Sequence, residues 1–170
     1  MPGWSPEIAN EFICLALKDG RAFDQMQLQK LVYIAHGWCL AFSGQPLTGD
    51  RPEAWDFGPV YRRLADALQA YGTAPVHREI ATDLSISDAF CESSRSRIAK
   101  TDLDEFEMDT ILMVYEDYGA FSAAQLSALT QQSGSPWEQV YANGSGKLRD
   151  VPHQLIRDQF VQYTEEAESD

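Results

Sequence analysis

Three kinds of side chain in this sequence could do chemistry: imidazoles, thiols and carboxylates. The histidines His36, His77 and His153 stand far apart, with no pair at the one-turn spacing that lets a helix hold a metal ion. His36, beside Gly37 in a strongly helical stretch, reads as a partly buried structural histidine. The cysteines Cys14, Cys39 and Cys91 are too few and too scattered for a disulfide framework or a cysteine-rich metal site. Cys14 and Cys39 fall inside apolar helical patterns, as buried, inert thiols do. Among the carboxylates the densest run is Asp102, Asp104, Glu105, Glu107 and Asp109. It opens a helix, where acidic side chains meet the positive end of the dipole. There is no nucleophile elbow, phosphate loop or dinucleotide-binding glycine motif. The reading is therefore of no catalytic residue, no metal site and no cofactor, hence not an enzyme. A small hydrolase or transferase taking its acid and base from Glu53, Asp56 or His36 is the alternative from another class.

Two patches point to binding instead. The first joins Leu28-Gln29-Lys30-Leu31-Val32-Tyr33 to Glu53-Ala54-Trp55-Asp56-Phe57-Gly58-Pro59-Val60-Tyr61. Gly58 permits a backbone turn that a side chain would hinder, and Pro59 presets the segment after it. Trp55, Phe57 and Tyr61 would cluster at that turn, either as a packed structural corner or as an aromatic recognition surface. If helix and turn meet, Lys30, Tyr33, Trp55 and Tyr61 border one concave patch with polar tips in solvent. Lys30 lies one residue before a buried Leu31, so its stem can follow the apolar edge while its ammonium stays wet. The second patch is Ser135-Pro136-Trp137-Glu138, which fixes Trp137 in a helix's first turn, to cover the core edge or to anchor a partner.

The elements that must position these residues are mostly helices. Ser5-Pro6 caps a helix carrying Ile8, Phe12 and Leu15 and stopped at Asp19-Gly20. Asp24 and Gln27 open a second in capping-box fashion, with Leu28, Leu31, Val32, Ala35, Trp38, Cys39 and Phe42 as its inner stripe. Glu53 to Phe57 reads as a short extended segment. Pro59 then starts a third helix with Val60, Leu64, Leu68 and Tyr71 inward, ended by Gly72. Residues 73–101 are irregular, with a basic cluster of Arg95, Arg97 and Lys100. Helical spacing returns from Leu103 through Met108, Ile111, Tyr115 and Tyr118. Capping boxes at Ser122/Gln125 and Ser135/Glu138 open two further helices. Pro152 opens the last, with Ile156, Phe160 and Tyr163 inward, and the acidic tail 165–170 frays. The expectation is one mainly α domain over 1–170, of about six or seven helices, with at most a small sheet near 45–57 and 75–100.

The 170 residues suffice for one core. The longest apolar run, Phe12 to Leu17, is far too short to span a bilayer. Glu7 and Glu11 occupy the stretch where a signal peptide would be uncharged. A cytoplasmic protein with no membrane partner is expected. The net charge of −13 repels phosphate backbones, so nucleic acid is not the main partner. A transcriptional regulator would need a basic face concentrated at Arg62-Arg63 and Arg95 to Lys100. The same charge suits solubility and would speed encounter with a basic partner.

In order along the chain, these blocks resemble the Panacea domain family of SocA-like antitoxins, which includes phage-associated members. The resemblance rests on Leu28 to Tyr33 with Gly37-Trp38, then Gly44-Gln45-Pro46-Leu47. It continues through Ala54-Trp55-Asp56-Phe57-Gly58-Pro59-Val60, Tyr118-Gly119 and Ser135-Pro136-Trp137, spanning about residues 6–142. It implies an antitoxin of a toxin–antitoxin system that neutralises a protein toxin encoded nearby by direct protein binding. An adaptor that delivers the toxin to a protease is the alternative. The partner-binding candidates are Lys30, Tyr33, Trp55, Gly58, Pro59, Tyr61 and Trp137. Where relatives commonly carry a Thr-His pair, Thr130 is followed here by Gln131, and no role is carried onto it. The Pro152 helix lies beyond the resemblance and reads as an addition of this lineage.

Overall fold

The computed structural model describes residues 2–81 and 102–169. Cys91, the basic cluster Arg95, Arg97 and Lys100, and the strands expected near 75–100 lie largely or wholly outside them. The described residues form seven α-helices and one two-stranded antiparallel sheet: α1 (Ser5–Lys18), α2 (Gln25–Ser43), β1 (Glu53–Trp55), β2 (Gly58–Val60), α3 (Arg62–Leu68), α4 (Glu105–Tyr118), α5 (Ala123–Thr130), α6 (Pro136–Tyr141) and α7 (His153–Glu168). A 3₁₀ turn, Gln69–Tyr71, extends α3 to Gly72.

Helix α2 is the axis of the molecule, and α1, α3, α4, α5, α7 and β2 all pack on it. Its start follows the sequence: the Asp24 carboxylate accepts from the Gln27 amide at 2.8 Å, and the Gln27 side chain accepts from the Asp24 amide at 3.0 Å. Its inner surface is wider than one stripe. Leu28, Leu31, Val32, Tyr33, Ile34, Ala35, Cys39 and Leu40 are buried, and so are the polar Gln29, Lys30 and His36. A helix surrounded on most sides has no solvated face for its polar residues. Phe42, expected inside, is instead 51% exposed and stacks on Trp38.

Helix α7 docks on α2 where Gly37 leaves room. A Cβ there would lie 2.3 Å from the Phe160 ring, so this helix contact exists because residue 37 has no side chain. Helix α7 runs on to Glu168, past the start of the acidic tail at 165. At the other end α1 is capped by Trp4, not Ser5. Ser5 is buried in the first turn and bonds Asp50, backbone N to Oδ1 at 2.8 Å and Oγ to Oδ2 at 2.5 Å. The boxes at Ser122/Gln125 and at Asp104/Glu107 are complete. At α6, Ser135 Oγ accepts from Glu138, whose carboxylate accepts from Gly134.

The segment after Gly58 corrects the sequence expectation. Pro59 sits in β2, and the helix begins only at Arg62. Proline's fixed φ suits a strand as well as a first helical turn, so the neighbours decide. Ala54 faces Pro59 across the hairpin. The Ala54 N–H and C=O both turn to the opposite edge, where N–H donates to Arg149 O (2.8 Å) and C=O accepts from the Leu148 N–H (2.7 Å). Pro59 therefore occupies a position where the ladder asks for no N–H.

Candidate functional site

The structure brings both sequence patches to one corner. Lys30 and Tyr33 project from α2, Gly58 and Pro59 lie in β2, and Tyr61 immediately precedes α3. Gly58 has φ 104°, a conformation open to glycine. A side chain there would also come within 2.8 Å of Thr130 Oγ1 and 3.1 Å of Lys30 Nζ. The Lys30 amine donates to the Pro59 carbonyl at 2.8 Å. The Gln29 amide grips the backbone of Tyr61 twice, accepting from its N–H at 2.8 Å and donating to its C=O at 3.0 Å.

This corner is drier than expected. Lys30 and Tyr61 are 0% exposed and Tyr33 is 1% exposed, so their polar tips do not reach solvent. The ammonium that was to snorkel is enclosed because β2 closes over its end. Burial pushes the Lys30 amine down to about 7, since a charge without water or a carboxylate partner is disfavoured. Burial also pushes the Tyr33 and Tyr61 hydroxyls up.

The face above the corner carries three half-buried aromatic groups, Trp55, Trp137 and Tyr141, and one exposed one, Phe57. Trp55 is half-buried, and its indole N–H donates to Glu53 at 2.7 Å. Arg62 forms a two-pronged pair with the same carboxylate, at 3.0 and 2.9 Å, and lies over the Trp55 ring. Trp137 donates its indole N–H to the Trp55 carbonyl at 2.6 Å and stacks on Tyr141 at 4.6 Å. Asp56 accepts from Tyr141 Oη and from Lys147 Nζ, each at 2.7 Å. These two donors hold its carboxyl below the usual range. At the tip of this braced hairpin Phe57 is 68% exposed, with Leu148 also exposed nearby in the chain that lines β1.

The residues weighed for acid–base work are all engaged. Glu53 and Asp56 are held as above. His36 is fully buried, its Nδ1 accepting from the Leu47 and Thr48 amides at 3.2 and 3.3 Å. Its proton is therefore on Nε2, which donates to His153 Nδ1 at 3.0 Å. Burial, with His153 alongside, pushes His36 down to about 3. Among the described residues no group of His, Cys, Asp and Glu could hold a metal ion, and no helix is long and apolar enough to cross a membrane. Arg62 and Arg63, considered for a basic face, lie over Trp55 and Trp4.

Sequence reasoning did not assign Gln29, Thr48 or Thr130 a part in this corner. Gln29 lies inside the quoted motif, and a polar residue in so apolar a helix was its available signal. Thr48 gave none, because its bonds to His36 and Tyr61 are set by tertiary contact; Thr130 stood out only in the Thr-His pattern, and its approach to Gly58 is likewise tertiary.

A mainly helical domain closed by a braced aromatic hairpin is thus the class the geometry defines, and comparison with known proteins places it. The chain belongs to the SocA-like antitoxin, Panacea domain family, whose profile matches residues 28–138. That span opens at the start of α2 and ends just after Trp137, so it contains the whole corner. Antitoxin SocA of Caulobacter vibrioides (strain NA1000 / CB15N) is 36% identical over 141 residues, 79% of this chain and 70% of that protein. No solved structure matches.

Proposed function

We propose that this protein is an antitoxin that neutralises a co-encoded protein toxin by direct contact in the cytoplasm. The contacting surface is the hairpin tip with Trp55, Phe57 and Trp137. Lys30, Tyr33, Gly58, Pro59 and Tyr61 shape it from beneath. The observation that carries the reading is Phe57: a phenylalanine 68% exposed on a hairpin whose Trp55 and Asp56 side chains are both held by hydrogen bonds. Rigid aromatic groups presented to solvent are what interfaces use as anchors, because little entropy is lost when they bind. Membership of an antitoxin family supports the identity of the partner as a toxin.

The test is growth rescue. The gene beside this one is expressed with and without the parent protein, then with Phe57→Ser and Trp137→Ala, and melting temperature is measured for each. The parent should restore growth. Phe57→Ser should lose rescue while melting like the parent, since an exposed side chain contributes little to stability. Undiminished rescue by Phe57→Ser would contradict the placement of the surface, and toxicity unaffected by the parent would contradict the antitoxin role.

A further inference from the structure

A second feature adjoins the buried corner at Tyr33 and Thr130 and opens between α2, α4, α5 and α7. It is a cleft of about 350 Å³ whose floor and walls include Tyr33, Trp38, Tyr118, Phe160 and Tyr163. The rings are set at angles to one another: Trp38 meets Phe160 at 5.1 Å and 81°, and Phe160 meets Tyr163 at 5.5 Å and 77°. Gln132, Gln159 and Tyr163 pass from this cleft into an adjoining groove of about 520 Å³, which carries the carboxylates of Asp158 and Glu166. Among the described residues, no lysine, arginine or histidine lines either one. The Tyr33 hydroxyl on the cleft floor is the single buried side-chain polar atom among the described residues that lacks a hydrogen-bond partner.

We propose that this aromatic cleft receives an arginine side chain from a basic segment of the partner protein, with the segment continuing along the Asp158–Glu166 groove. The inference rests on the antitoxin reading for the identity of that partner. Its own support is charge and shape. Aromatic faces are the electron-rich surfaces that attract a guanidinium, which stacks flat on them. The two carboxylates and a net charge of −13 favour a cationic visitor at every distance. The amide oxygens of Gln132 and Gln159 can accept guanidinium N–H groups at the mouth. Plain apolar filling would not need acidic walls next door, and a phosphate or nucleic acid would meet two carboxylates without a cation.

The probe is the blocked tripeptide acetyl-Gly-Arg-Gly-amide, titrated into the full chain while the Trp38 indole N–H is followed by NMR. Its citrulline counterpart, of the same shape without charge, is the control. The expected result is saturable millimolar binding of the arginine peptide, weakened about tenfold for citrulline, a difference typical of one cation–aromatic contact. Tyr163→Leu should weaken it similarly. Because that variant can disturb packing, Asp158→Lys with Glu166→Lys serves as the second test: both side chains are exposed, so binding should fall with melting unchanged. Equal binding of the two peptides, preference for a phenylalanine peptide, or no shift at Trp38 up to about 10 mM (a level above common weak affinities) would each overturn the proposal. Rescue is scored in parallel. Rescue undiminished by the Asp158→Lys/Glu166→Lys variant would overturn the cleft's role while leaving the antitoxin reading intact. Arginine binding without any rescue by the parent would overturn that reading and leave the cleft as an arginine site.

Discussion

Lys30 and His36 are buried on the same helix, and each has a protonation state set by its surroundings. Lys30, at about 7 in the fold against roughly 10.4 unfolded, is depressed. Between those values the unfolded chain binds the extra proton, so stability from this group rises with pH above 7 and is least below it. From pH 7 to 9 the parent should gain roughly 2 kcal/mol from Lys30 alone, and Lys30→Met should lack that gain. Urea unfolding at the two pH values measures it; equal pH slopes for both proteins would show that the amine keeps its charge when buried. His36 is depressed to about 3 from about 6.5 unfolded. Its stabilising contribution is complete above pH 6.5 and lost as pH falls toward 3, because the unfolded chain takes up the proton first. His36→Asn should accordingly flatten the acid limb of stability between pH 6.5 and 4. A third buried group, the unpartnered Tyr33 hydroxyl, predicts that Tyr33→Phe keeps or raises the melting temperature, since it removes a buried group that costs about 1–3 kcal/mol unpaired. A clear fall would mean the hydroxyl has a partner in solution.

At the scale of elements, α2 decides the fold, and two contacts on it are testable. Gly37→Ala should destabilise by about 1–3 kcal/mol through overpacking, although alanine is the better helix former. Adding Phe160→Leu should recover part of that loss, because the two positions touch. Additive losses would mean that α7 does not dock there. Leu31→Ala, at 0% exposure, should lose about 2–4 kcal/mol. Much of this was legible in the sequence. Caps at Asp24, Ser122 and Ser135 and the proline before α7 mark helix starts by local bonds, which spacing alone reveals. What escaped was set by tertiary contact. Pro59 became a strand because Ala54 turned its polar groups toward 148–149. Lys30 and Tyr61 lost their solvent because β2 closed over α2, and Phe42, in the last turn of α2, lies exposed against the Trp38 ring. The corner's residues were readable as a group, but which of them face outward was not, since an i to i+3 pattern does not say what lies opposite.

For the whole molecule the dominant property is charge, 26 acidic against 13 basic residues. If the partner is basic, its association rate with this protein should fall about tenfold or more as ionic strength rises from ~0.01 to ~0.5 M, with a smaller change in dissociation. Stopped-flow mixing measures this, and a flat rate would assign the charge to solubility alone. The Phe57 hairpin and the α2–α4–α5–α7 cleft are both carried on a core centred on one helix, so neither needs a folding step before a partner binds. That rigidity suits neutralisation by occupancy, in which one protein blocks another without chemistry. The most direct measurement is therefore made with two purified components: the product of a neighbouring gene that halts growth when expressed alone, assayed for its own activity while this protein is titrated in, with no protease present. The account predicts that toxin activity falls to zero at a fixed molar ratio and returns when Phe57→Ser replaces the parent. Toxin activity that persists at excess antitoxin, and disappears only once a protease is added, would contradict direct neutralisation and establish delivery for degradation instead.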